Sequence, residues 1–201
     1  MAKKDNSTIL SKTSLRRKLR REIEDPIVLE THGGYGELFN KVYADVPQGV
    51  VFETKPEKTD HLCEQRPTWA VYEVDCLKAL QAGVGFHIPI NFVDVDPYGD
   101  PWPVISAVLD NAQSLPDRWG LVVNDGLRRF LMLGRGWKSR SVDAWVQKIG
   151  NEQVAKQYPD ICYELLREKA AGVGFDIDLW ACNSCGHGGQ MTHYAAVLVR
   201  K

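Results

Sequence analysis

The stretch Asp94-Val95-Asp96-Pro97-Tyr98-Gly99-Asp100-Pro101-Trp102-Pro103 follows the apolar run Ile90-Asn91-Phe92-Val93. A turn needs one or two such residues. Here three acids, aromatic rings and three prolines crowd around one glycine. These types suit work on an amine whose lone pair is conjugated into a ring. Such a nitrogen is a poor nucleophile, and accepting hydrogen bonds from its N–H groups localises the lone pair. Asp96 would supply one acceptor. Pro97 would supply its backbone carbonyl and has no N–H to compete. Tyr98 offers a π face on which a flipped base can stack, and Gly99 lets the backbone turn without blocking the ring. Strand alternation puts Asp94 on the same side as Asp96. Two neighbouring acids raise one pKa, so Asp94 reads as a supporting or cofactor contact, not the main acceptor.

A second cluster precedes it. Glu30-Thr31-His32-Gly33-Gly34-Tyr35-Gly36 ends a short apolar run. Gly33, Gly34 and Gly36 allow a sharp strand-to-helix turn and close backbone approach to a ligand. Phosphate binding is a familiar use of such a turn. Glu30 directly before the glycines would repel a pyrophosphate, and no lysine-serine or lysine-threonine pair follows. An acid with glycines suits a ligand with a cationic amino-acid end, which S-adenosylmethionine (SAM) has. Glu53 ends the next apolar run, about 20 residues on, where nucleotide folds place an acid for ribose hydroxyls. Asp75 ends the third and would accept from the adenine amine. His32 reads as a turn residue.

Apolar runs ending in acids recur at 27–30, 49–53, 69–75, 90–96 and 119–125. Continuous apolar runs are what strands buried on both faces look like. Helix-like stretches at 37–43, 76–82 and 104–112 separate them. The pattern predicts an α/β fold: a Rossmann-like, mostly parallel sheet with helices on both faces. Residues 191–201 predict a C-terminal antiparallel edge strand. Residues 1–24 read as a basic tail and helix, and 25–201 as the main domain with a helical insertion near 135–173. In open sheets of this kind, ligands bind outside the carboxyl ends of the strands. Five acids converging there repel one another, so a ligand with hydroxyls, amines or positive charge is expected to compensate them.

Asp96-Pro97-Tyr98-Gly99 resembles the acid-Pro-Pro-aromatic type of motif in methyltransferases that modify exocyclic amines of bases. Residues 93–112 resemble the fourth-strand motif of the tRNA guanine exocyclic-amine dimethyltransferases, and His193–Arg200 is similar to their late aromatic-rich strand. Asp100 stands where that pattern has a small residue. The resemblance implies a SAM-dependent methyltransferase with Asp96, Pro97 and Tyr98 at the acceptor amine, no metal, and a nucleic-acid substrate, RNA favoured over DNA. A protein or small-molecule methyltransferase, or an inactive methyltransferase-like module that binds nucleic acid, are the alternatives. A dinucleotide-dependent dehydrogenase is disfavoured by Glu30.

The 201 residues carry a net charge of −1, so no global field points to nucleic acid or a membrane. No apolar run reaches the roughly 20 residues of a spanning helix. Five scattered cysteines argue against a disulfide framework and for a cytoplasmic protein. Cys182-x2-Cys185-x-His187 is half a zinc site without a second pair. Basic residues crowd the start: Lys3, Lys4, Lys12, Arg16, Arg17, Lys18, Arg20 and Arg21. With Arg128, Arg129, Arg135, Lys138 and Arg140 they could contact phosphates. A solvated helix seated on Leu15 and Leu19 is the plainer reading. The oligomeric state is not legible.

Overall fold

The computed structural model describes residues 8–133 and 139–201. Lys3, Lys4, Arg135 and Lys138 lie outside the described residues. Helix α1 (Ile9–Arg20) leads into β1 (Val28–Glu30), a π-helical turn (Phe39–Tyr43) and β2 (Gly49–Glu53). Then follow α2 (Pro56–Gln65), β3 (Ala70–Glu73), α3 (Cys76–Gln81), β4 (Phe92–Val95), α4 (Trp102–Leu109) and β5 (Arg118–Asp125). The last third holds α5 (Leu127–Met132), α6 (Arg140–Lys156), α7 (Tyr158–Gly172), β6 (Phe175–Cys185) and β7 (Met191–Arg200).

The strands form one sheet in the order β3-β2-β1-β4-β5-β7-β6. The first five pair in parallel, and β7 is antiparallel to both of its neighbours. This is the expected α/β sheet. Its inner strands are mostly apolar because a core covers each face. On one face α3, α4 and α7 pack through Leu80, Ile105, Val108 and Leu166. On the other lie α1, the π-helical turn and α2, through Leu15, Leu19, Tyr43 and Leu62.

One expectation needs correction: β7 is not the edge strand. It lies between β5 and β6, and β6 holds the edge. The unbroken apolar run Tyr194–Leu198 is the mark of an interior position. The alternation of β6 is hidden by a bulge at Asp178, where the register shifts. Ile177 and Leu179 pair with Leu198 and Val197, which face opposite cores. Helix α1 packs on the sheet, in line with the plainer reading of a helix seated on Leu15 and Leu19. Leu15, Leu19 and Ile23 are buried in the second core. Gly120 on β5 makes room for it: a Cβ there would sit 3.1 Å from Ile23 and 3.2 Å from Leu19.

The inward face of α1 also carries charge. Arg16 is fully buried and grips both oxygens of Asp94, Nε to Oδ2 at 2.6 Å and Nη2 to Oδ1 at 2.5 Å. Tyr43 donates its hydroxyl to the same carboxylate at 2.7 Å. One helical turn earlier, Lys12 lies 2.9 Å from both oxygens of Asp96. Four residues of helix rise about 6 Å, and two residues of strand span about 6.6 Å. Cations four apart on α1 therefore match acids two apart, on β4 and on the residue that follows it. Arg17 and Arg20 are turned to Lys41 O and Asp45. Much of the charge expected to meet phosphates is thus used inside the fold.

Arg16→Met leaves a buried carboxylate unpaired, which costs about 3–5 kcal/mol. Urea unfolding should show a loss of that size, largely recovered by adding Asp94→Asn. A loss under about 1 kcal/mol, the scale of a surface pair, would contradict this assignment.

Candidate functional site

The strand order reverses between β1 and β4, and the site spans that switch point at the carboxyl ends of the strands. On the β1–β2–β3 side lies a small open cleft, lined by Thr31, His32, Glu53, Thr54, Asp75 and Cys76 among others. On the β4 side stands the lip Asp96-Pro97-Tyr98.

Glu53 is held by backbone. Its Oε2 accepts from Gly34 N at 2.9 Å, and its Oε1 from Thr54 N at 2.9 Å and Lys55 N at 3.1 Å. Lys58 stands 4.0 Å away. Asp75 caps α3, accepting from Lys78 N at 3.0 Å, while its side chain also faces the cleft. The glycine turn divides its work. Gly33 serves packing: a Cβ there would lie 2.5 Å from Leu62 and 2.6 Å from Val51. Gly34 has φ +56° and open space where a Cβ would be, so its backbone is the part a ligand can approach.

Glu30 and Asp94 are not in the cleft wall. The Glu30 carboxylate contacts Arg66, both side chains being nearly fully buried. The Arg66 guanidinium lies over Phe39 at 4.2 Å and over Trp69 at 5.0 Å. Burial raises the Glu30 pKa against the pull of Arg66. Glu30 was expected to meet a cationic ligand; in the fold Arg66 already supplies a counter-charge. Asp94 likewise belongs to Arg16 and Tyr43. The supposed crowd of acids awaiting a ligand is smaller, because two of its members are neutralised from within.

Asp96 is different. Burial works to raise its pKa, but Lys12 and Arg16 outweigh this and hold the carboxyl below its usual range. It is ionised at neutral pH. Tyr98 is 95% exposed and presents its ring to solvent. The Pro97 carbonyl accepts from Gly99 N at 3.1 Å, leaving its second lone pair. Gly99 has φ +117°, a conformation that L side chains rarely adopt. Gly126 N holds Gly99 O at 3.2 Å, tying the lip to the end of β5.

Cys182 and Cys185 point to opposite faces of the sheet. Cys182 pairs across with Tyr194, whose ring stacks on Trp102 and Trp180. The Cys185 thiol lies 3.4 Å from His193 Nδ1 beneath α1. They cannot grip one ion together; the side chain of His187 lies outside what is described. Among the described residues, no three or more His, Cys, Asp or Glu side chains gather as for a metal. His193 is buried, which pushes its pKa down to about 4, with Arg16 and Lys12 adding to the shift. No helix among the described residues is long and apolar enough to cross a membrane.

Sequence reasoning missed Lys12 as a partner of Asp96 and His32 as a wall of the cleft. The four-residue spacing of Lys12 and Arg16, set against the two-residue spacing of Asp94 and Asp96, was a usable signal.

No protein-family model matches the chain, and no curated protein matches it in sequence. Solved structures do match. Trm1 from Pyrococcus horikoshii, in complex with S-adenosyl-L-methionine, has a TM-score of 0.66 at 12% identity, over 96% of this chain and 54% of that one. The N-methyltransferase NodS from Bradyrhizobium japonicum, with S-adenosyl-L-homocysteine, has 0.61 at 11%, over 98% and 89%. The Methanococcus jannaschii fibrillarin pre-rRNA processing protein has 0.55 at 13%, over 88% and 66%. These likenesses establish the fold, the Rossmann-like sheet expected from the sequence. The chain spans about half the length of the Trm1 chain.

Beside the lip, Asp125 ends β5 fully buried. Its oxygens accept from Leu127 N and the Tyr158 hydroxyl, each at 2.8 Å. Burial pushes this carboxyl up to about 7, against those hydrogen bonds. The folded protein then keeps a proton that the unfolded chain releases above about pH 3.9. Stability contributed by Asp125 is present below that value and lost as pH rises toward 7. Relative to Asp125→Asn, the wild-type urea midpoint should fall across that window. Parallel curves would mean that Asp125 is ionised in the fold.

Proposed function

We propose that this chain is a SAM-dependent methyltransferase acting on an exocyclic amine of a nucleic-acid base, with RNA favoured over DNA. The observation that carries the reading is the divided site. An oxygen-rich cleft and an ionised acid with an exposed aromatic stand on either side of the β1/β4 switch point. Names of fold neighbours support it: one is called a pre-rRNA processing protein, and two were solved with the methyl donor or its product.

The residues fit the cofactor. Glu53 and Asp75 supply acceptors for ribose hydroxyls and an adenine amine, and the open backbone at Gly34 allows close approach. Glu30 and Asp94 keep the floor rigid through Arg66 and Arg16. When bound, SAM supplies an electrophilic methyl group on a positively charged sulfur. Asp96 would accept one N–H of the target amine, and the free lone pair of Pro97 O a second. Each carboxylate oxygen has two lone pairs, so Lys12 leaves Asp96 capacity to accept. Lys12 also keeps Asp96 ionised, and so an acceptor only. Tyr98 would stack on the base. The work of these groups is positioning and lone-pair localisation.

A small-molecule amine as acceptor is the second reading. It draws on the Lys12 ammonium already seated at Asp96 and on the N-methyltransferase name of one neighbour.

Incubation with methyl-labelled SAM, followed by fractionation, tests the proposal. Label should enter RNA. Asp96→Asn should abolish transfer with SAM affinity within about twofold of wild type, because Asp96 lies outside the cleft. Glu53→Ala should weaken SAM binding at least roughly tenfold, the scale of a charge-assisted hydrogen bond. Retained transfer by Asp96→Asn would contradict the assignment, and label confined to small molecules would favour the second reading.

A further inference from the structure

His32 stands in the cleft wall between the glycine turn and the start of α3, and its hydrogen bonds define its charge. Thr31 Oγ1 donates its only proton to Asp94 O at 3.1 Å. The same oxygen lies 2.8 Å from His32 Nδ1. It can therefore only accept there, so Nδ1 carries the proton. The other nitrogen, Nε2, lies 3.5 Å from the Cys76 thiol. Burial pushes that thiol up to about 11, so it keeps its proton and donates to Nε2. The chain from Cys76 S–H through the imidazole to Thr31 O–H and Asp94 O is complete with a neutral ring. A second ring proton would displace the thiol's.

The groups facing His32 come from every element around it: Asp94 from β4 and Asp96 just after it, Glu53 from β2, and Asp75 with Cys76 at the start of α3. Lys12 covers Asp96 and Lys58 stands near Glu53. Burial lowers the His32 pKa and outweighs the pull of these carboxylates. A cleft lined by acids attracts a cation, and a cationic His32 would oppose one.

Resting on the cofactor reading above, we propose that His32 sets the preference between the charged methyl donor and its neutral product: protonating His32 weakens binding of SAM and leaves binding of S-adenosylhomocysteine (SAH) unchanged. The two ligands share their adenosine and amino-acid parts. They differ by one methyl group and one positive charge at sulfur, so the ratio of their affinities cancels all other contacts. At neutral pH the uncharged ring leaves the acidic lining unopposed, and the donor is favoured. In acid the imidazolium repels the sulfonium and the product competes.

Calorimetric titration of the full chain with SAM and with SAH, from neutral pH down to the lowest pH at which the chain stays folded, tests this, because burial moves His32 protonation below its ordinary range. The SAM-to-SAH affinity ratio should fall roughly tenfold toward the acid end, as expected for two like charges brought into one cleft. In His32→Gln the ratio should be flat. A wild-type ratio that is flat, or a fall that persists in His32→Gln, overturns the proposal; the latter would assign the effect to the carboxylates. Binding of neither ligand overturns the cofactor reading and this proposal with it. Imidazole NMR of the wild-type protein needs no variant. By reciprocity of linkage, SAM should lower the protonation midpoint of His32 more than SAH does. Equal midpoints with the two ligands would also overturn it.

Discussion

Two cations one helical turn apart on α1 meet two carboxylates two residues apart at the end of β4, and much of the molecule depends on that match. Asp94 and Asp96 end a central strand at the switch point of the sheet. Left unpaired, a carboxylate as buried as Asp94 would be costly in the folded state. Arg16 and Lys12 neutralise the pair, and their spacing sets where α1 lies along the sheet. Gly120 admits the helix, and Leu15, Leu19 and Ile23 secure it. The helix is therefore part of the floor of the site.

The same logic divides the acids into two kinds. Glu30 and Asp94 are paired inside and hold backbone geometry. Glu53, Asp75 and Asp96 keep a side toward the cleft or the lip. Hydrogen bonds orient them, but through backbone N–H groups or a lysine whose side chain is only 15% exposed. Buried ion pairs make this end of the sheet rigid; the partly open acids are the ones left able to meet a ligand. His32 stands where the two kinds meet, since its hydrogen-bonded chain ends on the backbone of Asp94 while its ring faces the cleft.

The parallel half of the sheet was legible in the sequence because strands buried on both faces leave unbroken apolar runs. The turn that follows β4 was legible from its prolines and glycine. What was hidden has physical causes. Helix α2 buries only Thr59 and Leu62, too few for an apolar period. The bulge at Asp178 breaks the alternation of β6. The pairing of Glu30 with Arg66, and of Asp94 with Arg16, joins residues far apart in the chain, so local pattern could not show these ion pairs. Local pattern reports which face is buried; it does not report which charge will be waiting there.

A crystal structure of the full chain with SAH tests the central claim most directly. The account predicts the adenine beside Asp75 and Cys76, the ribose at Glu53, and the sulfur over the glycine turn facing Asp96. Glu30 should remain on Arg66, and Asp94 on Arg16. A ligand bound elsewhere, or reaching Glu30 or Asp94 directly, would contradict it.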